Sequence, residues 1–125
     1  MAKNEKGLSV HFDSPIQNGG EETALSAMEN VLASLAACSG YDVLSIMRKK
    51  KQKISCFSAE IIGERRNEPP MVFTNIRIKY IITGMNVSKE TVESAIRLSE
   101  EYCAVGRMLR NVVKITSSYE ILNEQ

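Results

Sequence analysis

The fold of this chain is decided by residues 26–50, which contain the sequence SAMENVLASLAACSGYDVLSIMRKK. Apolar residues recur there at intervals of three and four, as on one face of a helix. Acidic residues precede this run and basic residues end it, in the order that the helix macrodipole favours. The pattern predicts a long helix from about Glu22 to Lys50, with Gly40 as a point of kinking, breaking or close packing.

On both sides of this helix the apolar residues recur every second position, which is typical of strands. A short strand is predicted over residues 8–12. Two longer strands are predicted over 55–63 and 72–84, and the polar turn between them indicates an antiparallel hairpin.

The last third of the chain contains a second predicted helix, capped by Ser88. A short helical turn over 105–110 leads to a final strand over 113–121. The order is strand, helix, strand, strand, helix, strand. We therefore expect an α+β fold with an antiparallel sheet and two main helices packed on one face.

The composition is that of an ordinary globular protein, with 43% hydrophobic residues, 25% charged residues and a net charge of +1. We expect one domain over residues 1–125, with residues 1–7 frayed. The basic run at 48–51 has no interleaved aromatic residues, which argues against nucleic-acid binding. The sequence contains neither a signal-peptide pattern nor 18 consecutive apolar residues, so no membrane span is predicted.

Three cysteines without a Cys-x-x-Cys pair argue against a disulfide scaffold and a metal site. The protein is therefore predicted to work in a reducing cytoplasm. Cys38 and Cys103 each lie in an amphipathic helical stretch, 65 residues apart, and small residues surround Cys38. Accessible thiols with a lowered pKa carry redox chemistry, so this pair suggests a thiol-based enzyme. Cys56, in a predicted strand, is interpreted as a core residue.

Several segments resemble the OsmC/Ohr family of osmotically inducible and organic hydroperoxide resistance proteins. Residues 26–38 are similar to the family's cysteine-bearing helix, and residues 63–74 to its central hairpin. Residues 98–109 are similar to the helix with the second cysteine, and 115–121 to the closing strand. The resemblance covers about residues 20–122 and preserves order and spacing.

The resemblance implies an intertwined homodimer that reduces hydroperoxides with two cysteines and without a metal, a flavin or another cofactor. By position, Cys38 would be the peroxidatic cysteine, whose thiolate attacks the O–O bond and becomes a sulfenic acid. Cys103 would be the resolving cysteine, and an external thiol would reduce the disulfide. Glu29 matches a position where many members carry a glutamate that orients an activating arginine.

The activating arginine of the family precedes the cysteine helix, whereas this chain has no arginine before Arg48. Arg107, four residues after Cys103, is interpreted either as a cation near that thiol or as an exposed side chain. Tyr102 and Phe73 either form the wall of an apolar substrate pocket or serve packing alone. Glu29 is interpreted alternatively as a solvated acid in the first helical turn.

Asp42 follows Cys38 by one helical turn on the inner side of the predicted helix. Its carboxylate would raise the pKa of the thiol.

Three functions remain open from the sequence. They are a hydroperoxide reductase, an OsmC-like module that binds a small apolar molecule or senses thiols with little turnover, and a structural dimer with inert cysteines.

Overall fold

The structure is a computed structural model that describes residues 1–124. By their contacts these residues form two compact units, the first from Met1 to Ser34 and the second from Leu35 onward. The single domain expected over residues 1–125 stays a prediction.

The first unit begins with a small antiparallel ribbon. Strand β1 (Ala2–Lys3) pairs with β2 (Ser9–Val10), and Gly7, with φ of +80°, lies in the turn between them. Residues 1–7 were expected to be frayed, and the structure differs because part of this segment is paired. The two residues of β1 produce no alternation of their own in the sequence, whereas the alternation over residues 8–12 predicted a strand, of which Ser9–Val10 forms β2.

The loop that leads to the first helix is organised by one carboxylate. Asp13 accepts hydrogen bonds from the backbone N–H groups of Ser14 (2.8 Å), Glu21 (3.3 Å) and Thr23 (3.1 Å). The hydroxyl of Thr23 donates a fourth bond of 2.6 Å. These bonds lower the pKa of Asp13 to about 2, and the bond from the Thr23 hydroxyl has the largest effect.

Helix α1 (Ala27–Lys49) begins later than the predicted start at Glu22. Glu22 has φ of 55°, which no α-helical residue adopts. A capping box sets the observed start, because Ser26 Oγ accepts from Glu29 N at 3.2 Å and the Glu29 carboxylate accepts from Ser26 N at 3.0 Å. The helix ends where Lys51 adopts φ of 59°.

Gly40 lies within α1 without interrupting it. A Cβ atom at this position would lie 3.3 Å from Cε1 of Phe57. Of the three roles predicted for Gly40, the structure therefore shows close packing.

An 18-residue window of α1 has a mean hydropathy of 1.3. By length and composition this helix is able to cross a membrane, but the core helices of soluble proteins pass the same test.

The second unit contains a three-stranded sheet in the order β3-β4-β5. Strands β3 (Lys53–Arg65) and β4 (Phe73–Met85) form the predicted antiparallel hairpin. Strand β5 (Lys114–Asn123) runs parallel to β4, so the prediction of a wholly antiparallel sheet is wrong. The intervening helices α2 (Lys89–Tyr102) and α3 (Ala104–Arg110) return the chain to the same end of the sheet, as a parallel connection requires.

The predicted packing of helices on one face of the sheet is confirmed. Alternate residues of β4, from Ile76 to Ile82, are buried, and the residues between them are more exposed. The buried residues of the helices complete this core, and they include Leu35, Val43, Met47, Val92, Ala95 and Ile96. The α+β class predicted from the sequence is therefore correct.

Cys56 is exposed, which corrects its interpretation as a core residue. The pairing of β3 with β4 shifts register between Ile54 and Cys56. Such a bulge inserts one residue into the strand and reverses the alternation that follows. Phe57 therefore takes the inward position, where its ring centroid lies 6.0 Å from that of Tyr80.

Candidate active site: two cysteines and a carboxylate

The structure brings Cys38 and Cys103 together. Cys38 lies on α1, and Cys103 ends α2 and caps the first turn of α3. Their sulfur atoms lie within 4.8 Å of each other, and both thiols are free. A disulfide needs about 2 Å between the sulfurs, so a small movement of the two side chains would allow the bond to form.

The sulfur of Cys103 is held in place by hydrogen bonds from both sides. The hydroxyl of Ser39 donates to it at 3.2 Å, and the backbone N–H of Gly106 donates at 3.3 Å. The hydroxyl of Ser99 donates in turn to the Ser39 carbonyl at 3.0 Å. Cys103 is only 1% exposed, so α1 and the α2–α3 junction bury the sulfur between them.

The thiol of Cys38 is half-buried and has a raised pKa. The largest single influence is the backbone N–H of Val105, which favours the thiolate and lowers the pKa, and the N–H of Ala104 acts in the same direction. Burial and the neighbouring Cys103 side chain raise it, and together they outweigh these N–H groups. The described residues therefore do not make Cys38 a thiolate at neutral pH by themselves.

Asp42 is the third member of the cluster. A carboxylate oxygen of this half-buried residue lies within 4.8 Å of both sulfur atoms. Sulfur and carboxylate oxygen are atoms that Zn²⁺ accepts as ligands, but a structural zinc site uses four such donors and this cluster supplies three, so we assign no metal ligand here. In residues 1–124 this is the one set of three cysteine, histidine or acidic side chains with such spacing.

A buried tyrosine lies behind the cysteines. Burial raises the pKa of Tyr80 to about 12, while the Ser39 hydroxyl opposes that shift. The charges of Cys103 and Glu100 raise this pKa further, and that of Arg110 lowers it. Ser39, Tyr80 and Arg110 were not singled out from the sequence, although a tyrosine at an inward position among isoleucines was a usable signal.

Arg110 extends from the end of α3 into the protein. Its Nη1 donates to the carbonyl of Ile115 at 3.5 Å. Within residues 1–124 no partner is present for its Nε atom, which is buried. Burial of a guanidinium N–H without a partner costs free energy. The Nε atom of Arg110 is therefore a donor that could still bind an acceptor.

The other residues predicted for the site occupy different environments. Glu29 belongs to the first unit. Its hydrogen bonds with Ser26 lower its pKa, and the bond from the backbone N–H of Ser26 has the largest effect. Tyr102 is 71% exposed and Arg107 is exposed, on either side of Cys103 in the chain. Phe73 is 7% exposed at the start of β4, which favours a packing role.

The family of the chain follows from comparison with known proteins. The model of the OsmC-like protein family matches residues 19–118. The chain therefore belongs to the OsmC-like family, as the resemblance of its helices and hairpin predicted.

Individual relatives and solved structures cover between 85% and 98% of the chain. Protein YhfA of Escherichia coli K12 is 41% identical over 123 residues, which cover 98% of this chain and 89% of the relative. A solved hypothetical protein from Aquifex aeolicus VF5 is 34% identical with a TM-score of 0.78, over 85% of this chain and 80% of that one. An organic hydroperoxide resistance protein OsmC from Legionella pneumophila shares the fold, with 21% identity and a TM-score of 0.73 over 94% and 86% of the two chains.

Proposed function

We propose that this protein reduces organic hydroperoxides by a two-cysteine mechanism, with Cys38 as the peroxidatic and Cys103 as the resolving residue. The observation that carries the proposal is the approach of the two sulfur atoms to within 4.8 Å. The Cys38 thiolate attacks one peroxide oxygen, the O–O bond breaks, and an alcohol leaves. The Cys103 sulfur then displaces the hydroxyl of the Cys38 sulfenic acid, which forms a disulfide and water.

The catalytic cycle requires a reductant and a compartment in which free thiols persist. An external dithiol would reduce the disulfide by thiol exchange. We propose that the protein works in a reducing cytoplasm, because Cys38, Cys56 and Cys103 are all free thiols. A homodimer is proposed from the family alone, and Tyr102 and Arg107 are proposed substrate contacts because both are exposed beside Cys103.

Intact mass measurement tests the proposed chemistry. The Cys56→Ser variant serves as the parent, because the exposed Cys56 thiol would otherwise add its own oxidation products. Treatment of the reduced parent with cumene hydroperoxide should remove two hydrogens. The Cys38→Ser variant should remain unchanged, and the Cys103→Ser variant should gain one oxygen. Persistence of both thiols in the parent under excess hydroperoxide would contradict the proposal.

A second function, binding or thiol sensing with little turnover, is favoured by two observations, the first of which is that the pKa of Cys38 is raised rather than lowered. In addition, an open groove of about 330 Å³ lies between α1 and β3 and has a largely apolar lining. Its lining includes Ala36, Gly40, Tyr41, Leu44 and Phe57. Steady consumption of hydroperoxide with excess dithiothreitol would exclude this alternative, whereas one slow oxidation per chain would favour it.

A further inference from the structure

The carboxylate of Asp42 lies within 4.8 Å of the sulfur of Cys38 and of the sulfur of Cys103. We propose that Asp42 is a catalytic acid and base that carries a proton from the Cys103 thiol to the hydroxyl leaving Cys38 during disulfide formation. The inference rests on the proposed function and concerns its second step only.

Disulfide formation requires a proton to move between two sites. The Cys103 thiol must lose a proton as its sulfur attacks the sulfenic acid of Cys38. The S–S bond forms, the S–O bond of Cys38 breaks, and the departing hydroxide must gain a proton to leave as water. A carboxylate near both sulfurs accepts the first proton and donates it in the same step, so Asp42 ends the step in the protonation state in which it began.

Other acceptors near Cys103 are poorly suited to this transfer. Cys103 as a residue is only 1% exposed, so bulk water has little access to its sulfur. Ser39 and Gly106 both donate hydrogen bonds to the sulfur and therefore do not accept its proton in this arrangement. The Tyr80 hydroxyl has a pKa of about 12 and is not ionised at neutral pH.

The position of Asp42 on α1 suits a group that serves both cysteines. It follows Cys38 by four residues on the same helix, which places the two side chains one above the other. General bases act at about 2.6–3.2 Å or through one water molecule, and the distance shortens when the reacting complex forms. The half-buried Asp42 side chain can close this gap by rotation or through one bridging water.

The two chemical steps respond differently to removal of the carboxylate. The Asp42→Asn variant keeps the Val105 and Ala104 N–H groups that favour the Cys38 thiolate, so formation of the sulfenic acid should not slow. Disulfide formation should slow about tenfold or more, because the amide neither accepts nor donates this proton. Asp42→Glu should restore part of the rate.

The experiment is a hydroperoxide pulse on the reduced Cys56→Ser parent and its Asp42→Asn and Asp42→Glu derivatives, in buffer with EDTA to remove metal ions. Dimedone traps sulfenic acid at successive times, and intact mass separates thiol, dimedone adduct and disulfide. The Cys103→Ser variant defines the adduct yield without a resolving step. The expected result is accumulation of the adduct in Asp42→Asn. In the Cys56→Ser parent, disulfide formation should be slower in D₂O than in H₂O, which tests proton movement with Asp42 in place.

Two results would overturn the inference. Disulfide formation in Asp42→Asn at the parent rate would show that Asp42 carries no proton. Equal slowing of sulfenic acid formation and disulfide formation would show that it acts on the fold or on Cys38 alone. Absence of any adduct in both the parent and Cys103→Ser would instead contradict the proposed hydroperoxide reduction itself, so the two failures are distinguishable.

Discussion

The hydroxyl of Ser39 donates a hydrogen bond of 3.2 Å to the sulfur of Cys103, which lies 64 residues later in the chain. Ser39 directly follows Cys38, so one short segment of α1 carries both the proposed peroxidatic sulfur and the group that orients its partner. The Ser99 hydroxyl donates to the carbonyl of Ser39 and ties the same segment to α2. The position of Cys103 therefore depends on the packing of α1 against the α2–α3 junction.

Loss of the Ser39 hydroxyl should weaken the fold and the site together. In Ser39→Ala, the buried Cys103 sulfur loses one donor, and we expect the free energy of unfolding to fall by about 1–2 kcal/mol. Urea denaturation followed by circular dichroism measures this change. Ser34→Ala, at an exposed position of the same helix, is the matched control and should stay within about 0.5 kcal/mol of the parent. Equal stability of the two variants would contradict a structural role for the hydrogen bond.

The reaction of Cys38 with hydroperoxide should accelerate as the pH rises. The thiolate is the nucleophile, and the pKa of Cys38 is raised, since burial and Cys103 outweigh the opposing Val105 and Ala104 N–H groups. Below that pKa, the thiolate fraction and the rate should increase about tenfold per pH unit. Stopped-flow measurement of sulfenic acid formation in Cys103→Ser gives the slope, but this substitution also removes one cause of the raised pKa.

The pH profile of the Cys56→Ser parent should therefore lie at higher pH than that of its Cys103→Ser derivative. A profile that is flat between neutral pH and pH 9 would mean that Cys38 is already ionised. Such a result would require a cation outside the described arrangement, for instance one from a second subunit.

Gly84 should tolerate no side chain. A Cβ atom there would lie 2.1 Å from the carbonyl oxygen of Lys53 on the neighbouring strand, and backbone cannot move away without breaking the pairing of β3 with β4. Gly84→Ala should lower the free energy of unfolding by about 2 kcal/mol or more. Gly106→Ala is the control, because its nearest contact would be an ordinary 3.5 Å from the Cys103 sulfur. Similar urea midpoints for the two variants would contradict the prediction.

Asp13 should report on the integrity of the loop before α1. Its pKa of about 2 lies below the ordinary 3.8, chiefly because of the Thr23 hydroxyl. The lowered pKa means that this carboxylate stabilises the folded loop fully above pH 3.8 and loses that effect as the pH falls toward 2. Thr23→Val should move the Asp13 titration upward in NMR spectra, whereas Thr116→Val, at an exposed position of β5, should leave it unchanged. An unchanged titration in Thr23→Val would contradict this account.

Local patterns in the sequence were sufficient for much of the fold. The spacing of apolar residues predicted α1, α2 and the hairpin of β3 and β4, because each pattern reports which face of an element is buried. The Ser88 cap of α2 was also predicted and is present, since its hydroxyl accepts from Thr91 N at 3.3 Å. Capping depends on residues three apart and is therefore visible in the sequence.

The same patterns do not report which strands pair or in which direction. The alternation in β5 is identical for a parallel and an antiparallel neighbour, so only the structure revealed its parallel pairing with β4. The bulge before Cys56 reversed the face predicted by simple alternation.

The candidate site divides in the same way. The identities of Cys38 and Cys103 and their places on helices came from the sequence and its resemblance to a family. The approach of their sulfurs to within 4.8 Å, the inclusion of Asp42 and the hydrogen bond from Ser39 came only from the tertiary structure. Residue order along a chain determines local periodicity, whereas distances between groups 65 residues apart depend on how the helices pack on the sheet.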